Sequence, residues 1–173
     1  MSYAFTHLIV AWILGKGYEL VSKKTIPHLA WGFLLLGAIL PDIDLLINKI
    51  LQTSIHRTLT HSLIFLAGIM ILVFLFTMIF KSKQQTKYLS LAIGLGITIH
   101  LLLDLFYQPG IQLLWPMDAY FSYFGVVKVS METLLAAGRN VDYLIAAKSK
   151  MIFDMGLGIL WLMYFWYRKK IKL

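Results

Sequence analysis

Between Leu63 and Phe80 the chain reads LIFLAGIMILVFLFTMIF, without one charged residue. That run approaches the roughly 20 apolar residues a helix needs to cross the hydrocarbon layer of a membrane. In lipid every backbone polar group has to be satisfied within the protein, so a lone apolar segment of this length is a helix. The rest of the chain agrees with it. Of 173 residues, 60% are hydrophobic and 14% charged, with a mean hydropathy of +0.77, whereas soluble domains run at about 45–50% apolar and about 25% charged. The expected fold is therefore all-α: a polytopic membrane helical bundle of four to five transmembrane segments with an interfacial amphipathic region. Residues 1–173 form a single domain, since so short a bundle can hardly hold two independent cores.

The apolar runs are separated by punctuation that can be followed in order. Tyr3 to Gly15 is apolar apart from Thr6 and His7, and is short for a full span. A polar turn follows over Lys16 to Lys24, then a second run from His28 to Leu40. Pro41 predicts a kink or break there, because proline removes a helical hydrogen bond and clashes with the preceding turn. Leu45 to Leu51 continues as helix and Gln52 to Thr60 reads as a loop. Ser62 to Phe80 and Tyr88 to Tyr107 are the next spans, joined by a basic loop from Lys81 to Lys87, and Pro109-Gly110 ends the second. Ile111 to Val127 is rich in Trp, Tyr and Phe, as suits the membrane interface. Lys128 to Lys150 reads as one or two surface-lying helices broken near Gly138, and Met151 to Tyr167 as the last span before the basic tail Arg168 to Lys172.

The formal net charge is +8 and the pI about 9.7. Such a balance can serve nucleic acid, but here the Lys and Arg gather at the ends of apolar runs, the pattern of cytoplasmic loops. No direct nucleic-acid contact is expected; the bilayer is the expected partner. By the same rule Lys16/Lys23/Lys24, Lys81/Lys83/Lys87 and the C-terminal tail are cytoplasmic, which places the N-terminus outside. The start lacks a basic region and cleavage site, so no cleavable signal peptide is expected. Cysteine is absent, which excludes disulfide and thiolate chemistry and leaves His and carboxylates as metal ligands.

Those residue types converge. His56-Arg57-Thr58-Leu59-Thr60-His61-Ser62 places two imidazoles, a guanidinium and three hydroxyls just before the most apolar run of the chain. With alternating spans, His7, Asp42, Asp44, His56, His61, His100 and Asp104 all fall in the half of the membrane away from the basic loops. Ionisable groups in membrane segments are expensive and usually functional. His100 and Asp104 are i and i+4, on one helix face. At a break beside Pro41, Asp42 and Asp44 can both turn inward. Seven candidate ligands exceed what one zinc-type ion takes, so the set has room for one or two divalent ions, with zinc foremost. Arg57 forks naturally onto a carboxylate or phosphate, which makes it a candidate substrate clamp, with an ion pair to Asp42 or Asp44 as the plainer reading. Thr60 or Ser62 serves as a helix cap. Asp118 stands open between site and surface. His28 reads as structural or interfacial, Asp154 as snorkelling or paired with a lysine, Glu132 and Asp142 as a solvated face, and Trp115, Tyr120, Phe121 and Tyr123 as interface anchors.

Taken together, Thr6-His7-Leu8, Pro41-Asp42-Ile43-Asp44, His56-Arg57-x-x-Thr60-His61-Ser62, His100-Leu-Leu-Leu-Asp104 and Leu114-Trp115-Pro116 resemble, in this order, the YdjM-like family of membrane-bound metal-dependent hydrolases, some of whose members carry a LexA-binding label. The resemblance covers about residues 4 to 118. It implies a metal-dependent hydrolase and points to His7, Asp42, Asp44, His56, Arg57, His61, His100 and Asp104. Two positions depart from the family pattern: Leu45 stands where the aspartate motif often continues with His, and Thr58 where Gly often follows the His-Arg pair. A looser similarity links the scattered His and Asp to zinc-dependent phospholipase C enzymes.

The expected function is membrane-embedded hydrolysis. A metal-activated water attacks an ester, preferably a phosphoester, of a lipid or lipid-linked substrate, with Arg57 holding the anion and Asp44 among the catalytic groups. Such a protein sits in the inner or plasma membrane with its site on the extracytoplasmic side and its C-terminus in the cytoplasm. Two other classes compete: a divalent-metal carrier or channel, which wants ligands at successive depths, and a non-catalytic protein that recruits a partner through its basic tail.

Overall fold

The structure is a computed structural model and describes residues 4–51, 57–106, 110–127 and 141–170. Helix α1 spans Ala4–Ser22, α2 His28–Ile39 and α3 Ile43–Leu51, with a 3-10 turn at Leu40–Asp42 between the last two. A second 3-10 turn, Leu59–His61, leads into α4, Leu63–Phe80, followed by α5, Lys83–Asp104, a short hairpin of β1 Tyr120–Ser122 and β2 Gly125–Val127, and α6, Val141–Lys170. The break predicted at Pro41 is the 3-10 turn itself, which has this proline near its start.

Several boundaries differ from the sequence reading. The polar stretch Lys16 to Ser22 is helical, so the α1–α2 connection is confined to residues 23–27. Glu19 explains why: its carboxylate accepts hydrogen bonds from Lys16 Nζ (2.7 Å), the Ile26 N–H (2.7 Å) and Trp31 Nε1 (3.2 Å), tying the last turns of α1 to the start of α2. The basic loop shrinks to Lys81 and Ser82, because the Ser82 hydroxyl caps α5 by accepting from the Gln85 N–H, and a serine cap satisfies a donor that has no partner inside the helix. At the C-terminal side, residues 141–150 belong to the same helix as the expected last span; the break near Gly138 lies outside the described residues. The all-α expectation also needs correction. Tyr120 pairs with Val127, Phe121 with Val126 and Ser122 with Gly125 in an antiparallel hairpin, and Ile111 bridges to Phe121. The hairpin lets the aromatic segment satisfy its own backbone groups where it leaves the helices.

Among the described residues, three stretches are long and apolar enough to cross a membrane: His28–Asn48, Leu63–Phe80 and Lys83–Asp104. The further spans expected near Tyr3–Gly15 and Met151–Tyr167 lie in α1 and α6, which are not among the three. The core is built on α5. Its buried Leu89, Ile93, Ile97 and Leu101 pack with Ala30 of α2, Val73 of α4 and Ile111. The outer face of α4 is exposed at Ile71, Leu72, Leu75, Phe76 and Ile79, as suits a surface in contact with lipid.

Helices α2 and α5 run side by side in the same direction and touch backbone to backbone. A Cβ on Gly37 would collide with the Ile93 carbonyl, and one on Gly96 with the Leu34 carbonyl and the Ala38 amide. Small residues are what let membrane helices approach so closely. Helix α4 is antiparallel to α5, held by Ser90 Oγ donating to the Met70 carbonyl at 2.8 Å. Helix α6 runs parallel to α1: Gly158 lies under the Phe5 ring, and Trp12 meets Trp161, Tyr164 and Phe165 edge-on at 6.2, 6.1 and 5.3 Å. These directions put His7, Asp42, His61, His100 and Asp104 at one end of the bundle and the basic ends of α1, α4, α5 and α6 at the other.

Gly96→Val should therefore push α2 and α5 apart, lowering stability by about 1–3 kcal/mol or more, as overpacking does, with a lower melting temperature in detergent than wild type. A second expectation concerns pH. The Glu19 carboxyl is lowered from 4.5 to about 2, first by the Lys16 hydrogen bond and then by the Ile26 N–H. A carboxyl lowered in the folded state stabilises above its unfolded pKa, and that contribution is lost as pH falls through the folded value. Melting curves of wild type and Glu19→Gln should differ at neutral pH and converge between pH 4.5 and about 2.

Candidate metal centre

Four segments deliver side chains to one buried spot. The first turn of α1 supplies His7; the 3-10 turn beside Pro41 and the start of α3 supply Asp42 and Asp44. The turn before α4 supplies Arg57, Thr60 and His61, and the last turn of α5 supplies His100 and Asp104. His7, Asp44, His61, His100 and Asp104 are all fully buried, while the Asp42 side chain keeps 12% of its surface open.

Two ring orientations can be worked out from hydrogen bonding. His100 Nδ1 lies 2.8 Å from the Ala38 carbonyl oxygen, which only accepts, so a neutral His100 carries its proton there and presents a lone pair at Nε2. Thr60 Oγ1 spends its one hydrogen on Asp44 Oδ2 at 2.6 Å. The same hydroxyl, 3.0 Å from His61 Nδ1, therefore accepts from that nitrogen, and a neutral His61 likewise presents a lone pair at Nε2. These two lone pairs face each other, Nε2 to Nε2, at 3.2 Å. With both rings neutral, two acceptors do not hydrogen-bond, and burial makes the arrangement unfavourable unless a cation, a proton or a metal ion, lies between them.

The carboxylates close around the same point. His61 Nε2 is 3.3 Å from Asp104 Oδ2 and 3.7 Å from Asp42 Oδ1; His100 Nε2 is 3.9 and 3.6 Å from the same two atoms. Ligand atoms about 2.0–2.1 Å from a tetrahedral zinc stand about 3.3 Å apart, so the spacing suits a shared ion. Two ligand groups fit one, His61/His100/Asp104 and His7/Asp42/His100. The His7 ring stacks on His100 at 4.0 Å, with Nε2 3.4 Å from Asp104 Oδ1. Both His7 nitrogens, Asp42 Oδ1 and both Asp104 oxygens are buried without a hydrogen-bond partner. Each such atom costs about 1–3 kcal/mol if left so, and a metal ion would take up one His7 nitrogen together with carboxylate oxygens of Asp42 and Asp104. The charge fits as well: with neutral imidazoles, Asp42, Asp44 and Asp104 against Arg57 leave two net negative charges, the complement of a divalent cation.

Asp44 and Arg57 flank the cluster. Asp44 stands behind His61, 3.4 Å from Nδ1, and belongs to neither ligand group, the place that an outer carboxylate takes in many metal–histidine sites. Arg57 is held by backbone and side chain alike. Its N–H donates to Asp44 Oδ2 at 3.1 Å, its carbonyl accepts from the Gln112 N–H at 3.0 Å, and its Nε lies 3.6 Å from Asp104 Oδ2. Pinned on both sides, the residue adopts φ +65°, a conformation costing a non-glycine residue on the order of 1–3 kcal/mol. His56 lies outside the described residues. Asp118 is exposed and belongs to neither group, and His28 is exposed at the start of α2.

The cap of α4 is Ser62, which accepts from the Phe65 N–H, while Thr60 serves the site. The Ala38 carbonyl carried no signal, because any residue offers a carbonyl. The Asp154 carboxylate is buried and takes the N–H groups of Phe5 and Thr6 rather than a lysine; its signal was an acid within an apolar run.

Asp44→Ala, which leaves His61 Nδ1 without its outer carboxylate, should weaken metal affinity about 10–100-fold in equilibrium dialysis of the purified protein. His100→Ala combined with Asp104→Ala should abolish binding. A family model described as YdjM inner membrane protein matches residues 1–172. No curated protein and no solved structure matches the chain.

Proposed function

The chain belongs to the YdjM inner membrane protein family, and from that premise we propose that it is a metal-dependent hydrolase cleaving an ester, preferably a phosphoester, of a lipid or lipid-linked substrate. The observation that carries this reading is the pair of lone-pair nitrogens, His61 Nε2 and His100 Nε2, 3.2 Å apart among buried carboxylates. A divalent ion held there, zinc foremost, would supply a water of lowered pKa and a Lewis acid for the scissile group. The residues that would hold it are His61, His100 and Asp104, or His7, Asp42 and His100; a second ion would draw on the same five.

The protein's own groups supply the rest. Asp44 and the Ala38 carbonyl fix the two imidazoles. Asp42, the one partly open carboxylate of the set, marks the mouth and carries the proton released from water to solvent. Arg57, held beside Asp104, binds the anionic part of the substrate; its planar fork favours a phosphate over a neutral ester. Ile43 and Leu59, both partly exposed, flank Asp42 and the His61 turn, and apolar residues at the mouth suit a substrate with a lipid tail. In the membrane the basic helix ends face the cytoplasm and the metal centre the opposite side, following the distribution of Lys and Arg.

Elemental analysis of protein purified in detergent tests the first step, and release of phosphate or a phosphorylated headgroup from a panel of lipid phosphoesters tests the second. Expected are bound divalent metal, activity lost to chelator and restored by zinc, and loss of both metal and activity in the His100→Ala/Asp104→Ala variant. Arg57→Lys should retain the metal while weakening turnover of phosphoesters more than of neutral esters. Absence of bound metal, or occupancy unchanged in the double variant, overturns the reading. Ion flux through liposomes would instead favour a carrier, and function lost only on removing residues 168–173 a recruiting protein.

A further inference from the structure

His7 is the ligand of the centre least secured by the core. His61, His100, Asp104 and Asp42 ride on segments locked together by the α2–α5 contact and by α4. His7 sits in the first turn of α1, where the leading N–H groups have no partner within the helix and the turn tends to fray. That turn is held from outside by Asp154. Its Oδ1 accepts from the Thr6 N–H at 2.7 Å and from Thr6 Oγ1 at 2.6 Å, and its Oδ2 from the Phe5 N–H at 3.2 Å.

We propose that Asp154 of α6 is a positioning residue of the metal centre: by capping α1 at Phe5 and Thr6 it fixes the next residue, His7, against His100 and Asp104. Three observations join. Asp154 is 4% exposed, while its neighbours Ile152 and Phe153 are 71% and 69% exposed, so this acid is turned inward from an otherwise outward-facing stretch. A carboxylate at a helix N-terminus also meets the positive end of the helix dipole, and here both of its oxygens are used. The residue it secures presents two buried ring nitrogens without hydrogen-bond partners, so the exact setting of the turn decides whether His7 reaches the ion. Helix α6 is thereby part of the centre without touching it. The inference rests on the metal reading of the cluster.

The test uses Co²⁺ as probe on the full chain in detergent, reading affinity by titration and ligand geometry by the visible absorption bands. Asp154→Ala should weaken Co²⁺ binding about 10–100-fold, the range for residues that orient a ligand, and shift the bands toward those of His7→Ala. In the His7→Ala background Asp154→Ala should cause no further loss, since it acts through His7 alone. Asp154→Asn, which keeps one acceptor oxygen, should recover part of the affinity. Trp161→Leu loosens the α1–α6 packing without touching the cap and should leave the bands unchanged. If Asp154→Ala does not fold, Asp154→Asn and Thr6→Val carry the comparison. Unchanged affinity and bands in the Asp154 variants, or a loss fully additive with His7→Ala, overturns the inference while leaving the metal centre standing. A wild-type chain that binds no Co²⁺ or Zn²⁺ overturns both.

Discussion

The close approach of α2 and α5 governs the molecule. Gly37 and Gly96 let two backbones meet where any side chain would keep them apart, and that contact delivers the Ala38 carbonyl to His100 Nδ1 at 2.8 Å. A peptide oxygen is a fixed acceptor, so it sets both the orientation and the proton position of the imidazole. The parallel course of the two helices also brings the Pro41 turn beside the end of α5, which is how Asp42 comes within 3.6 Å of His100 Nε2. Packing and chemistry are in this sense one arrangement: the residues that are small for the sake of the helix contact determine where the ligands stand.

Around that axis the protein gathers more negative charge than an apolar interior tolerates by itself. Three carboxylates and one guanidinium are held within or at the edge of a buried cluster, and burial of unbalanced charge is costly. The segment around Arg57 shows how firmly the arrangement is held. Its peptide is tied to Asp44 on one side and Gln112 on the other, and the backbone accepts a left-handed conformation as a result. The Leu63 N–H in turn donates to the Leu113 carbonyl, so the segment preceding the hairpin braces the start of α4 just after His61. Loops that look peripheral by composition thus take part in fixing ligands.

The sequence by itself determined the solvent, the donors and their level. Uninterrupted apolar runs fix a membrane helix, the lack of cysteine restricts ligands to His and carboxylate, and alternating spans bring His7, Asp42, His61, His100 and Asp104 to one end, where the structure has them. Each of these follows from local composition and period, which single residues express directly. Tertiary structure alone decided which donors meet and which stand behind them: Asp44 falls behind His61 while Asp42 faces the centre, although both flank Ile43, because the 3-10 turn at Pro41 hands over to α3 between them. It also decided that Thr60 meets His61 Nδ1 while Ser62 caps a helix, that Asp154 grips α1 across 148 residues of sequence separation, and that the aromatic segment forms a hairpin. These depend on which backbone groups meet across the fold, and a carbonyl or an N–H has no letter of its own in the sequence.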